Sequence, residues 1–489
     1  MTALIAGLTL PLLAALATVA LPRRARRPAA LLGTGLTLIA SIWLSAEVWQ
    51  DGPVTLSLGG WQPPIGIVLR ADGLGAALGV MTALVMTAVA LAARYEMATS
   101  VAGPRASFGF WPLMLLLWGA LNAVFVSRDL FNLYVGLELI TLTAVALVAI
   151  SGKTEAIAAA LRYLLFALAG SLLFLAGVIV TYAAHGTLDI SLLAARTAAP
   201  ADALALGMMT AGLLGKAALF PFHVWLPPAH SAAPAPASAL LSALVPKAAL
   251  LILLRLWFEA MPDRATPAVL LTLAALGAMA VIWGGIMALV QARLKLIVAY
   301  STVAQLGYIF LVFPLAGGDG AAQPWAAGAW TGAMFQILSH GLAKAAMFLA
   351  AGIYIAAVGS DRLGELRGIA RVLPMTGFAF ALSAITLTGL PPSGGFTAKY
   401  LLMTAAFSSG QWAWALVLAG GGLLAAAYLY RPLAAIFARE ITVAPRAIPR
   451  RWQVIPLGLA VMSVALGLLS AVPFEFLQIG RPDQAVEGL

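Results

Sequence analysis

The chain has 489 residues, of which 62% are hydrophobic and only 9% charged, with 28 Lys and Arg against 18 Asp and Glu for a formal net charge of +10. A soluble domain averages about 25% charged residues, so this sequence cannot supply the polar surface of water-facing cores, and lipid is its expected solvent. With no cysteine and four scattered histidines, thiolate iron–sulfur ligation, cysteine zinc sites, disulfides and a histidine metal cluster are excluded, and no nucleotide-binding loop is present.

Apolar runs of about 20 residues, long enough to cross roughly 30 Å of hydrocarbon, recur along the whole chain. They predict an all-α polytopic membrane protein of about fourteen transmembrane helices, with spans near 3–21, 29–49, 72–94, 109–127, 129–150, 157–184, 202–226, 234–258, 267–289, 295–315, 326–357, 372–409, 411–438 and 452–477. No basic residue precedes the first span, and Arg23, Arg24, Arg26 and Arg27 follow it. That order argues against a cleavable signal peptide and points the N-terminus outward. The even number of spans then places Arg94, Arg105, Lys153, Arg293, Lys295, Arg362, Arg367, Arg371, Arg431, Arg439, Arg446, Arg450 and Arg451 on the same side as the first cluster. Arg70, Arg128, Arg196, Arg264 and Arg481 fall on the other. The positive-inside rule reads this asymmetry as a cytoplasmic face, with both termini outside a bacterial inner membrane. The net charge is then topological, and no nucleic-acid partner is expected.

Within hydrocarbon depth few ionisable groups remain, and each costs about 3 kcal/mol to insert at the helix centre. Glu138 comes first, about nine residues into its span and so roughly 13 Å deep at about 1.5 Å per residue. It is the only acid at that depth, and a buried lysine is its natural partner. Lys216 follows in Gly212-Leu-Leu-Gly-Lys-Ala-Ala-Leu-Phe-Pro221, where Pro221 predicts a broken or kinked helix. His223 and His230, at the cytoplasmic end of that segment, are candidates for proton entry or for simple loop positions. Lys247 lies near mid-span. Gln305 and Tyr308 either bridge water or glue helices. His340 and Lys344 share a helix face. Lys399 stands after Gly389-Leu-Pro391-Pro392-Ser-Gly-Gly395, a second interrupted segment.

Broken segments in corresponding positions of two halves mark a transporter site, because unwound backbone at membrane depth is tolerated only where it is buried in protein or lines a cavity. The expected organisation is three N-terminal helices over 1–108, a first unit over 109–258, a second over 259–438, and a last helix with a short tail over 439–489. A buried lysine is poised between the neutral amine that desolvation favours and the ammonium that a nearby carboxylate favours. Glu138, Lys216, Lys247, His340, Lys344 and Lys399 therefore form the candidate proton line. No covalent chemistry and no cofactor is expected on this chain.

At these residues the sequence resembles the antiporter-like family shared by complex I, Mrp-type cation/proton antiporters and membrane-bound hydrogenases. Its carriers include Arg70-Ala-Asp72-Gly, Asp129-Leu-Phe-Asn-Leu with Glu138, Phe220-Pro-Phe-His-Val-Trp-Leu-Pro, Leu296-Ile-Val-Ala-Tyr-Ser-Thr-Val-Ala-Gln-Leu-Gly-Tyr308, His340-Gly-Leu-Ala-Lys and Gly389-Leu-Pro-Pro-Ser-Gly-Gly-Phe. The resemblance implies two inverted five-helix repeats, each with a broken helix. It further implies an ion pair between Glu138 and Lys216 that gates transfer, a relay at Lys247 and an outlet near Lys399. Its wording is most similar to the D-type component of the Mrp antiporters, with other membrane subunits, protons and Na⁺ or K⁺ as partners. The alternative is the proton-pumping arm of complex I or of an energy-converting hydrogenase. The family's largest complex I member carries a long lateral helix after its last span, which is not expected here after residue 477. Its middle complex I member typically has a glutamate at the position of Lys399.

Overall fold

The structure, a computed structural model, describes residues 1–96, 103–318 and 321–481. The Arg105 side chain and the tail after Arg481 lie outside the described residues. The chain opens with α1 (Thr2–Ala20) and α2 (Arg23–Asp51), followed by a short hairpin, β1 (Val54–Ser57) and β2 (Val68–Ala71). Next come α3 (Gly73–Glu96), α4 (Gly103–Val126), α5 (Leu130–Ala149), α6 (Thr154–His185), α7 (Ile190–Ala194), α8 (Asp202–Lys216), α9 (Leu226–Ala232), α10 (Ala235–Ala243) and α11 (Val245–Arg255). The second half holds α12 (Pro267–Val290), α13 (Leu294–Gly307), α14 (Val312–Ala316), α15 (Ala326–Val358), α16 (Pro374–Thr388), α17 (Gly394–Ser408), α18 (Trp412–Ile436), α19 (Arg450–Leu468) and α20 (Ala471–Gln478).

Among the described residues, twelve helical segments are long and apolar enough to cross a membrane. The two remaining expected spans, near 202–226 and 372–409, are the interrupted ones, split into α8 with α9 and α16 with α17. The span from Ala235 to Ala260 is wholly enclosed by other helices, and α15 nearly so. By contrast fewer than half of the residues in the apolar stretches of α1, α2, α6, α12, α18 and α19 are buried, as in lipid-facing helices. This layering puts α10, α11, α13 and α15 at the centre of the bundle.

The all-α expectation missed the hairpin, in which Val54 pairs with Ala71 and Ser57 with Val68. Its two strands are four residues each, too short for alternation to stand out in so apolar a sequence. The hairpin belongs to an outer cap: the Arg128 amide donates to the Val68 carbonyl at 3.2 Å, and the Gly73 amide to Ile479 at 2.9 Å. On the opposite side Arg293 bridges Arg362, and the Arg371 guanidinium donates to the Arg439 carbonyl at 2.6 Å. The basic loops thus gather on one face.

Beneath the hairpin lies a buried charge cluster. Asp72 accepts from Arg255 at 3.1 Å and stands 3.9 Å from Arg128. Glu259 pairs with both Arg128 and Arg255. Burial alone would raise the Asp72 pKa, but Arg255, then Arg128, the Gly75 amide and Arg70 outweigh it and hold the carboxyl below its ordinary value. The cluster ties the start of α3 to the α4–α5 turn and the end of α11.

Candidate functional site

Glu138 projects from α5 toward α6 and α8. Its Oε1 accepts from the Ser171 hydroxyl and, at 3.2 Å, from the Lys216 ammonium. Lys216 also donates to Thr141 Oγ1 at 2.7 Å and to the Leu137 carbonyl at 3.5 Å. The approach of α6 to α8 makes this reach possible. A Cβ on Gly170 would lie 2.6 Å from the Gly212 carbonyl oxygen, and one on Gly212 would lie 2.2 Å from that of Gly170. Backbones this close are built from small residues.

The break in the first interrupted span comes earlier than Pro221 suggests, because α8 ends at Lys216 itself. Ala218 takes a left-handed φ of 53°, which stops the helix before the proline is reached. The Trp225 indole donates to the Gly215 carbonyl at 2.9 Å and stacks on Tyr163 with centroids 4.1 Å apart. Lys216 is therefore a helix-terminal cation, matched to the negative end of its own helix dipole.

The second break is closed differently. Gly389 (φ 87°) caps α16, with the Gly389 amide donating to Thr386 at 3.2 Å and the Leu390 amide to Ile385 at 3.1 Å. The carbonyls of Leu387 and Thr388 are left over. Lys399 takes both, at 3.0 Å and 2.9 Å, from the second turn of α17. Its ammonium also lies 4.5 Å from the centre of the Tyr308 ring.

Between these ends lie two more buried lysines, each with hydroxyls or amides close by. Lys247, fully buried, donates to the Ser242 carbonyl. The Ser242 hydroxyl meets Thr302 at 2.8 Å. One residue away on α13, Ser301 accepts from Lys344, which also donates to the Val298 carbonyl at 2.8 Å. Gln336 donates to Gln305 at 2.9 Å, and Gln305 donates at 2.9 Å to the same Leu387 carbonyl that holds Lys399. Gln305 thus joins α13 to α15 and α16 and shares the Leu387 carbonyl with Lys399. His340 is buried, and neither of its ring nitrogens has a hydrogen-bond partner among the described residues.

Some expected residues are not joined in this arrangement. No hydrogen bond among the described residues connects Lys216 to Lys247. His223 and His230 are both buried, so neither occupies an open loop. Ser171, Thr141, Ser242, Ser301, Thr302 and Gln336 were not singled out from sequence. Their only signal there is polarity within apolar spans.

A family model for the NADH:quinone oxidoreductase/Mrp antiporter transmembrane region matches residues 127–425. The chain belongs to that family. The antiporter-type region therefore takes in both interrupted spans and every residue of the charge line. An N-type NADH-quinone oxidoreductase subunit from Desulforudis audaxviator is 35% identical over 460 residues, 92% of this chain and 87% of that protein. A D-type Na⁺/H⁺ antiporter subunit from Alkalihalophilus pseudofirmus is 31% identical over 394 residues, 79% of this chain and 76% of that one. A chain of the Mrp complex from Dietzia superposes with a TM-score of 0.88 at 28% identity, covering 97% of this chain and 95% of its own. These relatives work in multisubunit membrane assemblies, and this antiporter-type protein partners other membrane subunits in the same way.

Proposed function

We propose that this chain is a proton-translocating subunit of a multisubunit monovalent cation/proton antiporter, moving protons along the Glu138, Lys216, Lys247, His340, Lys344 and Lys399 line. The observation that carries the reading is the Glu138–Lys216 pair, a carboxylate and an amine 3.2 Å apart on two helices at membrane depth. Such a pair is costly to keep in hydrocarbon, and ionisable side chains retained there mark ion pathways and proton relays. Opening the pair removes the countercharge of Lys216, and its ammonium then favours giving up a proton inward; closing it favours reloading. Lys247 and Lys344 relay through Ser242, Thr302 and Ser301, and Lys399 stands at the second break. The arginine-rich face is assigned to the cytoplasm of a bacterial inner membrane, with both termini outside. The two units, 109–258 and 259–438, are proposed as inverted repeats around the line, between three N-terminal helices and the C-terminal one.

A second reading is the proton-pumping arm of a redox complex, favoured by the longer match to the N-type oxidoreductase relative. Inverted vesicles bearing the whole complex separate the two. Antiport predicts Na⁺- or K⁺-dependent collapse of an imposed proton gradient, abolished in Glu138→Gln and Lys216→Ala with assembly intact. Copurifying iron–sulfur subunits and flux that requires electron transfer would replace the antiporter reading with the redox one. Unchanged flux in both variants would remove the proton line altogether.

A further inference from the structure

On the arginine-rich face a cavity of about 310 Å³ opens between the end of α3, the α9–α10 junction, the start of α13 and the end of α15. Glu96, Lys153, Ser231, Arg293, Lys295 and Asp361 are on its wall. Arg293 and Asp361 pair at 2.9 Å. Glu96 and Lys295 instead grip the junction from two sides. The Glu96 carboxylate accepts from the Ala235 amide at 3.2 Å, the first residue of α10. Lys295 donates to the Ser231 carbonyl at 3.4 Å and to that of Ala233, at the end of α9. An acid on a helix start and a base on a helix end each oppose the local dipole, and the two side chains feel each other's charge.

Behind this grip, in the last turn of α9, sits His230. It is fully buried and stacked on Phe348 with centroids 4.8 Å apart, and neither ring nitrogen has a hydrogen-bond partner among the described residues. The charges it feels are those of Lys295 on the cavity side and of Lys344 and Lys247 on the line side. An unpartnered imidazole between an aqueous cavity and two buried amines is placed to accept a proton on one nitrogen as it releases one from the other.

Resting on the proton-line reading, we propose that the α9–α10 junction is the inlet of the line, with Glu96 as the proton-collecting group and Lys295 as its gate. Glu96 takes a proton from cavity water and becomes neutral. Through cavity water its proton passes to Lys295 as the Lys295 ammonium gives its own, again through water, to His230. The imidazolium then discharges to a neutral amine at Lys344 or Lys247. Glu96, Lys295 and His230 each end in their starting protonation state, and one proton has moved inward. Asp361, held by Arg293, fixes the position of Lys295 by accepting from its backbone amide at 3.4 Å.

The test uses the whole complex in proteoliposomes. Glu96→Gln should lower proton flux about tenfold or more, with Glu96→Asp restoring most of it, while assembly on native gels is unchanged. Glu138→Gln is the reference. Lost flux in Glu138→Gln beside full flux in Glu96→Gln overturns the inlet and leaves the line standing; full flux in both overturns the line. Because the chain has no cysteine, Ser231→Cys gives a readout that does not depend on Glu96 variants folding. An impermeant cationic methanethiosulfonate added from the arginine-rich face should block flux relative to the same protein unlabelled. Complete labelling with flux intact, or block only from the opposite face, overturns the proposal.

Discussion

Asp72 shows how buried charge is held in place away from the proposed proton line. Its carboxylate is the anion shared by Arg255 and Arg128, and its side chain is nearly buried. Taking one partner out of a buried pair leaves uncompensated charge, at about 3–5 kcal/mol. Asp72→Asn is therefore expected to lower the thermal unfolding midpoint of the detergent-purified chain at pH 7. The folded pKa lies below the ordinary 3.8. The contribution is thus complete above the unfolded value and is lost as pH falls through the folded one. The difference between wild type and variant should shrink on acidification below about pH 4. A constant gap across that range would mean that Asp72 acts through shape alone. This cluster was hidden in the sequence, where Arg70 and Arg128 looked like outer-loop residues. Glu138, Lys216, Lys247, Lys344 and Lys399 were legible because an ionisable side chain deep in an apolar run needs an explanation. Their partners were not. Ser171 lies 33 residues from Glu138 and Thr302 lies 60 from Ser242, and only the packed bundle brings them together.

At the scale of elements, the two interrupted spans do the positioning, and each does so with a different device. In α8 the lysine is the last helical residue and points at another helix. In α17 the lysine reaches back to the carbonyls that end α16. Proline and glycine announced both breaks, but the left-handed turn at Ala218 has no signature in composition, so the first break was placed five residues late. The contact that brings α8 to α6 can be tested. A methyl at Gly212 meets the Gly170 carbonyl and the Phe174 amide, at 2.2 Å and 2.9 Å. Gly212→Ala should cost about 1–3 kcal/mol as overpacking does, and should reduce flux by moving Lys216 away from Glu138. Gly207→Ala, on the same helix with open space around its Cβ, should do neither. Equal behaviour of the two variants would show that the α6–α8 approach does not set the pair.

Across the whole molecule, hydropathy and charge asymmetry were enough to give the class, the number of spans and the face on which the basic loops gather. They could not reveal how unevenly the bundle is enclosed. The central helices are sealed, yet the charge line reaches the flank of the bundle at both ends. The Glu138 side chain keeps 22% of its surface exposed, beside the exposed Phe131, Val135 and Leu142. Lys399 borders a surface groove of about 500 Å³ that also includes Leu390, Tyr400 and Phe407. Neither terminus of the proposed conductor is insulated by its own chain. Whatever stands beside it in the bilayer completes the dielectric, and a neighbouring protein supplies polar contact where acyl chains supply none. A lipophilic carbodiimide should accordingly modify Glu138 faster in the solitary chain than in the assembled complex, as read by mass spectrometry of the modified peptide. Equal rates would mean that Glu138 is as accessible in company as alone. Under the proposed function each end of the line then shares its electrostatic surroundings with a neighbour, so a charge arriving next door is felt by this protein without any part of its backbone having to move.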